Sequence, residues 1–169
     1  MQRFTLARDL PADAPTVIEQ VCSEAYLLFR YQDPNQLDFE LEVLSDTPQE
    51  HRCRVLRVYG SEKIPAVARR ILGQRIEVQQ TQRWSRQGPV FAGDMRLEVL
   101  GVPGHIETSM RLADTQPGHC QMTAEGGIDV KVPLIGRQIE KMLLERSQEG
   151  FATSMQAIQD WLRQQGLSQ

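Results

Sequence analysis

Apolar and polar residues alternate along most of the chain, and helical spacing interrupts the alternation in only a few places. From Arg3 to Asp9, Phe4 and Leu6 fall on one side and Arg3 and Thr5 on the other, the period of a half-buried strand. The period changes in LPADAPTVIEQVCSEAYLLFR. There Asp13 can cap a helix, Pro15 suits its first turn, and Val17, Ile18 and Val21 recur at helical spacing, with a second helix expected through Tyr26 and Phe29. After a turn at Asp33 to Asn35, Asp38 to Leu44 places Phe39, Leu41 and Val43 on one face and Glu40 and Glu42 on the other. Beyond Pro48 the strand HRCRVLRVYG has no clear phase: Cys53, Val55, Arg57 and Tyr59 oppose Arg54, Leu56 and Val58, and either set can face inward.

KIPAVARRILG breaks the strands with a short helix that starts at Pro65, groups Val67, Ala68 and Ile71, and ends at Gly73. Three long strands are predicted over Arg75 to Ser85, Pro89 to Leu100 and Pro103 to Asp114, with turns at Gly88, Gly101 and TQPGH. A last strand covers His119 to Val132, where Gly126 and Gly127 suggest a bulge. Ile135 to Leu162 reads as one helix of about 40 Å. Ile139, Met142, Leu143, Phe151, Ala157, Ile158 and Trp161 occupy an arc of roughly 180° on it, so it covers a broad apolar surface. The order of elements is that of an α+β fold, a meander of about six to seven antiparallel strands with one long carboxy-terminal helix, in a single domain over residues 1–169.

Composition narrows the function classes. A chain of 169 residues with 40% apolar and 24% charged residues can bury a core without staples and is neither disordered nor low in complexity. A formal charge of -3 with no basic run argues against nucleic acid as a partner. No apolar run reaches the length of a membrane span and the start lacks a secretory pattern, so the cytoplasm is the expected location. Cys22, Cys53 and Cys120 are too far apart for a redox or zinc motif and read as packed, reduced thiols.

Catalytic signatures are missing: there is no phosphate-binding glycine loop, no GxSxG, no HExxH and no CxxC. His51, His105 and His119 are scattered, so no metal site is expected; His105 and Glu107 share a strand face and form at most a small polar cluster. Glu140 lies inside the apolar arc of the long helix, where a carboxylate needs a partner: a ligand head group at a pocket rim, or a strand arginine such as Arg57. Gln80 and Gln82 share a face with Ile76, Val78 and Trp84, and Met95, Met110 and Met122 take inward positions, a mixture that suits either an amphipathic ligand or plain core filling. Arg69 and Arg70, with Lys63 nearby, form a weak basic edge.

Four stretches, FTLARDLPADAPTVIEQV, IPAVARRILGQRIEVQQTQRW, GVPGHIETSMRL and above all GGIDVKVPLIGRQIEKMLLE, resemble the START-like superfamily, also called SRPBCC or polyketide-cyclase-like, in a branch of unknown function. The resemblance implies a helix-grip fold with two short helices after the first strand, and a pocket between the long helix and the concave sheet, without a catalytic motif or cofactor. The expected function is binding or transport of one hydrophobic or amphipathic, lipid-like small molecule. Its expected lining is Phe39, Leu41, Val43, Val78, Gln80, Phe91, Met95, Leu97, Met110, Met122, Ile139, Glu140 and Leu143. The alternatives are an enzyme of cyclase or hydrolase type using Glu140 or His105, and a protein-interaction module with a filled pocket.

Overall fold

The computed structural model describes residues 1–168. Strand β1 (Gln2–Leu10) leads into helices α1 (Ala14–Val21) and α2 (Glu24–Tyr31). Strands β2 (Asp38–Asp46) and β3 (Glu50–Gly60), the short helix α3 (Ala66–Leu72), strands β4 (Arg75–Ser85), β5 (Val90–Val99), β6 (Gly104–Gln116) and β7 (His119–Val130), and helix α4 (Gly136–Gln164) complete the order. The strands form one curved antiparallel sheet in the order β1-β7-β6-β5-β4-β3-β2, gripped by α4, as the helix-grip reading expects. The register settles the ambiguous strand: Val55 opposes Gln80 and Cys53 opposes Gln82, so His51, Cys53, Val55, Arg57 and Tyr59 share the concave face. Both Val55 and Val58 are buried, although they point to opposite faces, which is why alternation alone could not choose between them.

Local chemistry sets the helix starts. Asp13 caps α1, accepting from the Thr16 N–H at 3.0 Å, and hydrogen bonds from Thr16 hold its carboxyl below the usual carboxylate range. Asp114 of β6 accepts from the Ala14 N–H at 2.6 Å and ties that helix end to the sheet. Ser23 caps α2 through the Tyr26 N–H at 3.2 Å. The convex face is polar, with Arg54 meeting Glu42, Arg83 meeting Glu50 and Asp94, and Arg96 meeting Glu98 and Glu107. Each exposed pair contributes little, about 0–1 kcal/mol, but together they keep this side of the sheet in water.

The packed core occupies one end of the concave side. Leu10, Val17, Ile18, Phe91, Leu112, Cys120, Met155, Ile158 and Leu162 join α1, the sheet and the last turns of α4, and Trp161 Nε1 donates to Gln20 Oε1 at 2.8 Å at its border. Completely burying a side chain such as Leu112 contributes about 1.5–3 kcal/mol.

The bulge expected at Gly126 and Gly127 is absent. Pairing runs in continuous register through both residues to β1 and to β6, and the irregularities lie instead between Val43 and Ser45 and between Asp114 and Gln116. The physical need at Gly126 is room: a Cβ there would stand 2.3 Å from the ring of Phe4, its cross-strand neighbour. Gly93 does the same for Trp84, whose ring a Cβ would meet at 2.7 Å. At Gly127 nothing lies closer than 3.6 Å. Gly126→Ala should therefore destabilise the fold by about 1–3 kcal/mol, whereas Gly127→Ala should stay within about 0.5 kcal/mol of the parent in urea unfolding.

Candidate functional site: a cavity between the long helix and the sheet

Antiparallel register carries concave-face residues into rows across the sheet. One row runs Val55, Gln80, Leu97, Ile106, Ile128; the next runs Cys53, Gln82, Met95, Thr108, Gly126, Phe4; a third runs His51, Trp84, Gly93, Met110, Ala124, Leu6. Helix α4 faces these rows with Leu143, Arg146, Ser147, Gly150, Phe151, Ser154, Met155 and Ile158, and α2 contributes Tyr26, Leu27, Arg30 and Tyr31. Between them lies a cavity of about 280 Å³, close to the lower end of small-molecule sites. Its floor is the packed core, through Val21, Trp84, Met122, Met155 and Ile158.

The space exists because the middle of α4 is lined by small residues. Ser147, Gly150 and Ser154 recur at helical spacing on the inner face, and a Cβ at Gly150 would meet nothing within 4 Å. Counting apolar residues on the helical wheel missed this feature, because a hollow is made by side chains that stop short. The signal in the sequence was a run of small residues on an otherwise apolar face.

Polar groups gather on the α2 side of the cavity. Gln80 Nε2 donates to the Tyr31 hydroxyl at 2.8 Å, and Arg57 Nη2 donates to Gln80 Oε1 at 3.2 Å. Gln82 Oε1 accepts from the Tyr31 hydroxyl at 3.4 Å. Arg30 donates Nε and Nη2 to Ser154 Oγ at 3.1 and 2.8 Å, clasping α2 to α4. Three lining side chains keep buried polar atoms with no hydrogen-bond partner: Arg57 Nε, Trp84 Nε1 and Thr108 Oγ1. Unpartnered buried donors of this kind cost free energy until something accepts from them.

Of the residues expected to line a pocket, Gln80, Met95, Leu97, Met110, Met122 and Leu143 do line the cavity. The structure places the others elsewhere. Phe39, Leu41 and Val43 face the concave side, but on the last strand of the sheet, at the edge opposite β1; Val43 is 43% exposed. Val78 lies beyond the polar cluster opposite Arg57 and Val99, Phe91 is packed into the core, and Ile139 precedes the first lining turn of α4. Glu140 is buried but not on the cavity: it accepts from the Val130 N–H at 3.1 Å, and its second oxygen is 3.4 Å from the Met1 amino group. The expected pair with Arg57 therefore does not form, and Glu140 ties α4 to the end of β7. His105 and Glu107 do meet, at 3.3 Å, on the far side of the sheet from α4. Arg57, expected only as a partner for Glu140, lines the cavity instead, together with Tyr31 and Arg30, for which the sequence offers no comparable signal.

Cys22 and Cys120 both sit in the core, and Cys22 lies close to Cys53 and Arg86 at its border. All three thiols are free and buried, and burial pushes them up to about 12, 11 and 12 for Cys22, Cys53 and Cys120. Among the described residues no group of histidine, cysteine and carboxylate side chains could hold a metal ion, and no helix is long and apolar enough to cross a membrane.

Comparison with solved structures places the fold. The chain superposes on the Zhui aromatase/cyclase of Streptomyces sp. R1128 with a TM-score of 0.65 at 11% identity, covering 96% of this chain and 93% of that one. It superposes on TTHA0849 of Thermus thermophilus with a TM-score of 0.60 at 13% identity, covering 94% and 95%. A START superfamily protein of Mycobacterium smegmatis gives 0.51 at 17% identity, covering 96% and 97%. No curated protein matches the sequence. Residues 5–162 match the model of a family described as "Protein of unknown function (DUF2505)".

Two measurements check the buried groups. Ellman's reagent at pH 8 should label none of the three thiols within minutes in the native protein and all three after denaturation. Burial holds His51 below its ordinary value of 6.5. The unfolded chain thus takes up a proton near pH 6.5 that the fold refuses, and stability present above that pH falls as the pH drops below it. The Tm of the parent should decline between pH 7.5 and 5.5, and the decline should be shallower in His51→Gln; equal slopes would remove His51 as its source.

Proposed function

The chain belongs to the DUF2505 family, whose function is unknown, and we propose that it binds one hydrophobic or amphipathic small molecule in the cavity under α4 and carries it without chemical change. The observation that carries this reading is an unfilled apolar hollow, walled by Leu97, Ile106, Met95, Met110, Met122 and Phe151, on a fold shared with a START superfamily protein. A hollow of this size costs stability relative to a filled core, and an apolar occupant would restore the missing contacts. The unpartnered Thr108 and Trp84 donors on its wall favour an occupant with at least one acceptor.

Catalysis has less support. The cavity lining contains no carboxylate, histidine or cysteine among the described residues, and the candidates for acid or base, Glu140 and His105, stand outside it. The likeness to an aromatase/cyclase, at 11% identity, speaks for the shared fold.

Native mass spectrometry of protein purified from its producing cells should show one reproducible excess mass that is lost on denaturation. Gly150→Phe, which puts a ring into the open space beside Gly150, should abolish that mass and the binding of a neutral apolar dye while leaving the circular dichroism spectrum unchanged. A parent protein with no excess mass and no affinity for the dye would refute the carrier reading.

A further inference from the structure

Among the described residues three arginines line the cavity and no carboxylate does: Arg146, on α4, meets Glu149 at 3.6 Å, whereas Arg57 and Arg30, on either side of Tyr31, have no such partner. Arg57 leaves β3 in an apolar phase, its Cζ 5.3 Å from the centroid of the Tyr31 ring, with Nη2 on Gln80 and Nε–H buried and unpartnered. Arg30 approaches the same ring at 5.0 Å, and its only side-chain acceptor is the neutral hydroxyl of Ser154. Among the described residues the side-chain acceptors of these two arginines are neutral, Ser154 Oγ and Gln80 Oε1, and none of the residues lining the cavity is acidic. On the convex face, by contrast, Arg54, Arg83 and Arg96 each meet a carboxylate. A ring face and neutral acceptors replace only part of the water that a guanidinium gives up, so a cation held beside an apolar hollow stays under-compensated until an anion arrives. The Nε and Nη2 edge of a guanidinium is the fork that takes two oxygens of a carboxylate or phosphate.

From this geometry we infer that the occupant of the cavity is an amphipathic anion, with its apolar body against Met95, Met110 and Met122 and its carboxylate or phosphate head on the Nε–Nη2 edge of Arg57. Arg30 adds positive charge beside the head. The inference rests on the carrier reading and specifies the ligand class for the same cavity.

Four probes with the same ten-carbon tail separate the possibilities: undecanoate, decyl phosphate, decanol and decyltrimethylammonium, each measured by displacement of a neutral apolar fluorescent dye from the full chain. Either anion should bind at least tenfold more tightly than decanol, the cation more weakly than both, and Arg57→Gln should erase the anion preference, bringing both anions to within about twofold of decanol measured on the same variant. Arg57→Lys, which keeps the charge but loses the fork, should weaken the anions severalfold and serves as the second variant if Arg57→Gln does not fold. The tighter of the two anions identifies the head group. Decanol binding as tightly as the anions, or an anion preference that survives Arg57→Gln, would overturn the anionic class while leaving the carrier reading standing. A dye that never binds the parent would overturn both.

Discussion

One helix cannot cover seven strands. Strands stand about 4.8 Å apart, so the sheet is roughly 30 Å wide, whereas a helix with its side chains spans about 10–12 Å. The concave face therefore depends on curvature and on the small helices for its remaining cover. Helix α4 lies over the β1 and β7 side, and α1 and α2 close the end where Phe91, Leu112 and Trp84 pack. Between these two covers the sheet passes beneath residues too short to reach it, and the cavity is the space that remains. Its position follows from where α4 changes from Phe151, Met155 and Ile158 to Ser147 and Gly150.

The elements of the fold were legible because their periods are clean. The strand Arg75 to Ser85 appears with those bounds, and the long helix differs by one residue at its start and two at its end. Periodicity reports which face a residue takes, and Phe39, Leu41 and Val43 do share the concave face with Val55. It does not report the order of strands, and β2 is the outermost strand on its side, which is why those three residues stand away from the cavity. Glu140 was rightly read as a carboxylate needing a partner, yet the partner is a main-chain N–H supplied by the end of β7, a group no side-chain pattern can reveal.

Polar residues were harder to read than apolar ones, for a related reason. Arg57 in an inward phase looks like noise in a hydrophobic pattern until the register sets it beside Gln80 and Tyr31. The amides of Gln80 and Gln82 then have a structural role of their own, since they hold the guanidinium and the phenol in one hydrogen-bonded group. Hydrogen bonds fix that group in place, whereas Met95, the cross-strand neighbour of Gln82, and Met110 and Met122 further along the sheet are unbranched and adaptable.

The pairs Phe4 with Gly126 and Trp84 with Gly93 have a consequence for descent. In each, the ring occupies the volume that a side chain on the facing strand would need, so neither partner can change size alone without either a clash or a void. Mutations at the four positions are therefore coupled two by two, and the neutral paths open to relatives exchange a ring and a glycine together or leave both untouched. Such linked exchange would appear among homologous sequences as covariation between positions more than a hundred residues apart in the first pair and nine apart in the second.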